Sequence, residues 1–351
     1  MHIPSAIMTT TMILASTTRW ASAFSSRSSA FTRSNFRSYS STQLSMKLQT
    51  AIVGLPNVDK STLFNALTET QGAEAANYPF CTIEPNVGIV AVPDPRLQVL
   101  SKINKSVKIV PATLEFVDVA GLIKGAAQGE GLGNQFLGSI RQCDAIVHVV
   151  RCFEDDDVIH VDGTVDPIRD AELINLELTF ADLAQVEKRL ERVRKDRNAN
   201  TDEKNALEKV SAVLNMDQPA RQADLSPEEE ASIKSLGLLT RKPMIYAANV
   251  ADGDLATGNE RVDQLREMAT KEGGKVVVVS AQVESELVDL EPEDREDFLQ
   301  SLGVTMEDTG LRKLVREAYD LLGLSTYFTS GETETRAWTI KKGWKAPQAA
   351  G

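Results

Sequence analysis

The sequence predicts an α/β protein in which a mostly parallel sheet, covered by helices on both faces, carries an inserted helical hairpin. Three observations point there. Short, near-continuous apolar runs recur along the chain, as doubly covered parallel strands require. The first of them, Leu48 to Val53, leads through Gly54-Leu55-Pro56-Asn57 into a helical segment at Lys60. Between Asp170 and Arg241 the texture changes to charged sequence with apolar residues every three or four positions, the period of an amphipathic helix.

In chain order, the first strand and a helix from Lys60 to Leu67 precede strand candidates at Thr113–Val117, Ala145–Val150, Pro243–Ala248 and Lys275–Val279. Within the charged stretch, Leu176, Phe180, Leu183, Val186, Leu190 and Val193 form one stripe. The polar run Asn198–Asp202 breaks it, and Leu207, Val210, Val213 and Leu214 resume it. Two stripes joined by a polar break predict an antiparallel hairpin. Ser226-Pro227-Glu228-Glu229 has capping-box spacing and opens another short helix. Leu311–Leu322 reads as the last helix of the sheet domain. From Ser325 a new unit begins, with a strand at Thr335–Ile340. At Gly351 that unit has too few residues to bury a core of its own, so it either leans on the main domain or is cut short.

At 351 residues, with 42% hydrophobic and 25% charged residues, the chain suits a soluble protein of two or three domains. No run reaches membrane-span length. Cys81, Cys143 and Cys152 lie far apart with no CxxC spacing, which suggests neither a disulfide framework nor a zinc site. The first 45 residues hold Arg19, Arg27, Arg33 and Arg37, no Asp or Glu, and many Ser and Thr. That is a transit-peptide composition. Arg37-Ser38-Tyr39-Ser40-Ser41 reads as a mitochondrial processing site. Ala21-Ser22-Ala23-Phe24 gives a plastid alternative, but the apolar run Met12–Ala15 before it is short, so mitochondrion is preferred. A tail that addresses nothing would leave the protein in the cytoplasm. Without those arginines the net charge of −12 becomes −16. So acidic a body binds nucleic acid poorly, and any RNA or ribosome contact needs a local basic patch or a protein partner.

The chemistry sits between the first strand and its helix. Gly54-Leu55-Pro56-Asn57-Val58-Asp59-Lys60-Ser61, with Thr62 after it, lies where a phosphate-binding loop belongs. Such a loop needs inward-facing backbone N–H groups at a helix N-terminus, a lysine for the β- and γ-phosphates and a hydroxyl for Mg²⁺. Lys60 and Ser61 supply the last two. The glycine that should precede the lysine is Asp59, which costs about 1–2 kcal/mol if the position needs positive φ. A carboxylate ~4 Å from a phosphate adds repulsion of about 4 kcal/mol as an upper figure. Nucleotide affinity would fall roughly 100-fold for a loss of about 3 kcal/mol. Asp118-Val119-Ala120-Gly121 ends the next strand with the spacing of a second Mg²⁺-side motif, Asp118 facing the metal and the Gly121 amide the γ-phosphate. Alone, DxxG is a weak signal; after a P-loop-like strand and before Gly125, Gly129, Gly131 and Gly133 it is stronger. Leu122 follows, where many GTPases carry a water-orienting glutamine.

These residues resemble the YchF subfamily of Obg-like ATPases. The resemblance is carried by Gly54–Val58, Asn77–Asn86, Glu115–Leu122, Gly129–Leu137, His148–Glu154, Thr326–Thr329 and Arg336–Thr339. It implies a P-loop G-type domain in two parts, 46–170 and 241–324, around a coiled-coil insertion at 171–240. It further implies a C-terminal β-grasp TGS domain, of which 325–351 would be the incomplete start. It implies nucleotide hydrolysis and association with ribosomes; Mg²⁺ is the expected cofactor, and a monomer is expected. Thr82 matches a switch threonine that ligates Mg²⁺ together with Ser61 and Asp118. His160 matches the family's catalytic histidine, whereas His148, in a strand run, is structural. Asn57 matches an asparagine that holds K⁺ beside the phosphates.

The base should rest on Asn249, Val250, Ser280 and Ala281. Val250 stands where guanine-specific enzymes have lysine, which favours ATP, while Asp252 at the family's usual glutamate leaves GTP open. Two departures matter. Asp59 offers the alternative of a non-catalytic binding protein that holds nucleotide poorly, and the end at Gly351 puts ribosome docking through the TGS domain in doubt.

Overall fold

Strand β1 (Gln49–Val53) is buried from Thr50 onward, and its apolar neighbours assemble around it. The computed structural model describes residues 48–75, 86–119, 132–155 and 163–350. The remaining strands are β2 (Val87–Ala91), β3 (Lys108–Val110), β4 (Thr113–Asp118), β5 (Ala145–Arg151), β6 (Met244–Asn249), β7 (Lys275–Val279), β8 (Leu324–Ser330) and β9 (Glu334–Lys341). The helices are α1 (Lys60–Ala75), α2 (Pro95–Asn104), α3 (Leu132–Gln142), α4 (Pro167–Lys195), α5 (Thr201–Leu214) and α6 (Pro227–Ile233), then α7 (Glu260–Glu272), α8 (Ala281–Asp289), α9 (Pro292–Ser301), α10 (Gly310–Leu321) and α11 (Ala346–Ala350).

Six strands form the main sheet in the order β2-β4-β1-β5-β6-β7. All neighbours pair in parallel except β2, which runs antiparallel to β4 from Val87 opposite Val117 to Ala91 opposite Thr113. The strand order reverses at β1, flanked by β4 and β5. In open α/β sheets ligands bind beyond the carboxyl ends of the strands at that point. The loops leaving β1, β4, β5, β6 and β7 all open on this edge.

The hairpin expected from the charged stretch is present. Asp166 starts α4 by accepting from the amides of Ile168 and Arg169 at 3.1 and 3.0 Å, with Pro167 at the first helical position. Its 29 residues reach about 43 Å at 1.5 Å per residue, longer than one layer can bury. Ala171, Ile174, Leu178 and Ala181 accordingly join the core under the sheet, while Val186, Leu190 and Val193 join a separate cluster with Leu207 and Val210 of α5. The capping box at Ser226 forms: Glu229 donates its amide to Ser226 Oγ at 3.2 Å and accepts the Ser226 amide at 2.8 Å.

The C-terminal segment leans on the main domain. β9 pairs antiparallel with β8 and parallel with β3, and Phe328 and Ala337 pack into the main core. Cys143 and Cys152 are free and buried, and burial pushes their thiols up to about 11 and about 12. Cys81 lies outside the described residues. No described helix is long and apolar enough to cross a membrane.

Candidate nucleotide site

The loop 54–59 turns sharply because two of its residues leave the usual backbone regions. Asn57 and Asp59 have φ of 59° and 63°, an alternation that turns successive amides inward as an anion-binding nest. Gly54 has no side chain for a steric reason: a Cβ there would lie 2.5 Å from the carbonyl oxygen of Val149 on β5. α1 follows at once, its first bond running from the Leu63 amide to the Asp59 carbonyl at 2.9 Å.

Lys60 is 7% exposed, and its ammonium donates to the Leu55 carbonyl at 2.5 Å, folded back over the loop. Burial pulls its pKa down, against Asp118 and Asp59, which hold it up. Ser61 Oγ donates to Asp118 Oδ2 at 3.1 Å across the ends of β1 and β4. The other Asp118 oxygen is buried and has no hydrogen-bond partner among the described residues. A hydroxyl and one carboxylate with a free buried oxygen fit Mg²⁺, which keeps few protein ligands and takes the rest from water and substrate phosphates.

Asn249, ending β6, staples the site together. Its amide group donates to the Val58 carbonyl at 3.4 Å and to Asp59 Oδ2 at 3.3 Å, and its oxygen accepts the Ala281 amide at 2.9 Å. Ser280 accepts the Val283 amide at 3.3 Å to cap α8 and donates to Asp252 Oδ1 at 3.1 Å. Val250 is 2% exposed, tied through its amide to the Val279 carbonyl. The candidate residues Gly54 to Thr62, Asp118, Asn249, Val250, Ser280 and Ala281 therefore converge on one edge of the sheet. Thr82, Gly121 and His160 lie outside the described residues.

The Asp59 side chain turns to the Asn249 side of the loop. Burial pushes its carboxyl up, opposed by Arg151, the Asn249 hydrogen bond and Lys60. Arg151, 1% exposed at the end of β5, donates to the carbonyls of Phe153 and Asp155 at 3.1 and 3.0 Å and lies 4.7 Å from the Phe153 ring centre. Sequence reasoning gave Arg151 no role. Its signal was a lone cation closing an otherwise apolar strand run on the strand beside the phosphate loop. His148, fully buried beside the Tyr246 ring at 5.4 Å, is held neutral, its pKa lowered to about 3 by burial and by Lys60.

Comparison with known proteins gives this geometry a lineage. Residues 49–177 match the family model described as 50S ribosome-binding GTPase, and 324–351 match the C-terminal YchF GTPase family, described as a protein of unknown function. The ribosome-binding ATPase YchF of Bacillus subtilis is 53% identical over 313 residues, spanning 87% of this chain and 84% of the relative. Its counterpart from Escherichia coli O157:H7 is 53% identical over 311 residues with the same coverage. The structure of the Schizosaccharomyces pombe YchF GTPase superposes with a TM-score of 0.76 at 42% identity, covering 87% of this chain and 83% of that one. On that identity and coverage, the chain belongs to the YchF family of P-loop nucleotide hydrolases.

Proposed function

We propose that this chain binds and hydrolyses Mg·ATP and works as a nucleotide switch on the ribosome. The observation that carries the reading is the Ser61–Asp118 pair, whose buried second carboxylate oxygen has no partner among the described residues, set beside a buried lysine and a nest of loop amides. Mg²⁺ held there would neutralise charge on the β- and γ-phosphates. Lys60 leaves the Leu55 carbonyl for phosphate oxygens, and the amides of 54–61 orient the triphosphate. With Leu122 unable to orient water, His160 is the residue assigned to catalysis on its match to the family histidine, and Thr82 and Gly121 are assigned to sensing the γ-phosphate. Asn57 is assigned to K⁺, which makes turnover potassium-dependent.

ATP is favoured over GTP because Val250 is buried where a guanine-specific protein needs a lysine. The ribosome enters through the relatives' names. The 325–351 segment is read as the start of the TGS domain, and residues 1–45 as a mitochondrial presequence. Turnover of ATP and GTP with Mg²⁺, in K⁺ against Na⁺, for the natural chain, Lys60→Ala and His160→Ala tests the enzyme. We expect ATP turnover lost in both variants and lowered in Na⁺. Ribosome co-sedimentation with and without ATP tests the partner. Turnover that survives Lys60→Ala would place hydrolysis elsewhere, and the absence of turnover in the natural chain would leave a non-catalytic binding protein.

A further inference from the structure

A cavity of about 280 Å³ opens away from the nucleotide edge, at the root of the helical hairpin. Its floor and walls combine Leu178 and Met244 with Asn175 and Thr240. Arg221 is already committed there: it donates to Glu272 Oε2 at 2.9 Å and to the Thr240 carbonyl at 3.3 Å. Glu272 also accepts from Tyr246 at 2.9 Å. Two further carboxylates line the cavity, Glu172 and Asp217. Both are exposed, and neither makes an ion pair with a described residue. The net character of the cavity is therefore anionic.

The rim is apolar. Leu176 lines the cavity and is 36% exposed, Phe180 one turn further along α4 is 41% exposed, and Met216 beside Asp217 is 64% exposed. These are three of the exposed large hydrophobic residues of the chain. Grouped apolar exposure around a hollow marks a contact surface rather than ordinary scatter. The hollow lies at the lower end of the size range of small-ligand clefts, with room for one long side chain. A lysine or arginine lays its aliphatic stem on apolar walls and keeps its charged head at acids.

We propose that this cavity and its rim are a docking site for a basic, aliphatic segment of a partner protein. One Lys or Arg enters between Glu172 and Asp217, and flanking aliphatic side chains cover Leu176, Phe180 and Met216. A free small amine would satisfy the carboxylates and leave that apolar rim in water, so the peptide is the better occupant. The site stands apart from the nucleotide corner, and its test needs no nucleotide.

The test is fluorescence anisotropy of a labelled Gly-Leu-Arg-Leu-Leu-Lys-Gly peptide with the full chain. A peptide with Gln at both basic positions is the control. Because the chain is acidic overall, a decoy variant, Glu293→Gln with Asp294→Asn on α9, checks for unspecific attraction. Neither decoy residue lines the cavity. Glu172→Gln with Asp217→Asn should weaken binding about tenfold, the combined effect of two partly exposed charges. Asn suits the Asp217 site, where φ is 56°. Leu176→Ser with Phe180→Ser should weaken it similarly, the decoy should not, and the Gln peptide should not bind. Unchanged affinity in either cavity variant, equal loss in the decoy, or no binding at millimolar peptide would overturn the proposal. Stabilisation by spermidine without peptide binding would give the cavity to a small amine and overturn it as well.

Discussion

The joint beneath the helical hairpin buries an aspartate and the phosphate loop half-buries one, and they treat it differently. Asp182, in the middle of α4, is fully buried and accepts from four donors: the amides of Leu239 and Thr240 at 2.9 and 2.7 Å, the Thr240 hydroxyl at 2.7 Å and Arg141 at 3.2 Å. Asp59 has one amide bond at 3.3 Å and the field of Arg151. A buried carboxylate is tolerable when its lone pairs are filled. The first region spends its donors on holding two layers together. The second keeps its amides in reserve for an anion that arrives from outside, so an acid placed there is left undersupplied.

The largest effect expected from this contrast is on stability. Asp182→Ala leaves the Leu239 and Thr240 amides unpaired inside the joint and takes the carboxylate partner from Arg141, which keeps the Ala181 carbonyl. It should destabilise the chain by about 3 kcal/mol, read from urea denaturation. A change below about 1 kcal/mol would mean that the two regions are not distinct in the way described.

Glu284 lies between these extremes. It is 3% exposed, accepts the Leu311 amide at 2.9 Å, and burial raises its pKa to about 7 from an ordinary 4.5, with the Leu311 and Gly310 amides pulling the other way. The folded state thus holds this proton more tightly than the unfolded chain. Its contribution is fully present below about pH 4.5 and is lost as pH rises towards 7. Stability relative to Glu284→Gln should therefore fall across that window, by on the order of 3 kcal/mol at most. Parallel curves for the two proteins from pH 4 to 8 would contradict this.

The smallest effect is the most specific to this sequence. Asp59→Gly removes a side chain from a φ of 63° and a carboxylate from beside the phosphates. The carboxylate faces Asn249 and Arg151, so the repulsion sits well under its upper figure. ATP affinity should improve about tenfold, or about 1.4 kcal/mol. A 1000-fold gain would mean that the acid reaches the phosphates directly, and no gain would mean that Arg151 compensates it in full.

Strong periodicity made the hairpin legible from Leu183 to Val193, through the polar break to the capping box at Ser226. The head of the stripe is corrected: Leu176 and Phe180 are exposed, and α4 buries Ile174, Leu178 and Ala181 there instead, because its first half packs under the sheet and not on α5. β1, β4 to β7 and the loop at 54–61 were legible from apolar runs and residue types. Harder was the antiparallel β2, a five-residue run whose direction depends only on its pairing with β4. α2 had a readable start in Asp94-Pro95, but little apolar period to extend it. β8 has no clear alternation because it is partly covered on both sides, and β9 finds its support in β3, far back in the chain, where Lys108 faces Glu334. Arg151 stood out only as a lone cation at the end of an apolar run, and its role was not legible because it comes from Asp59 on a neighbouring loop.

The central claim is that this corner of the sheet still accepts a triphosphate with an aspartate in the loop. Calorimetric titration of Mg·ATP into the full chain tests it most directly. We expect saturable one-site binding, weaker for GTP and lost in Lys60→Ala. No heat from either nucleotide at millimolar concentration would contradict it.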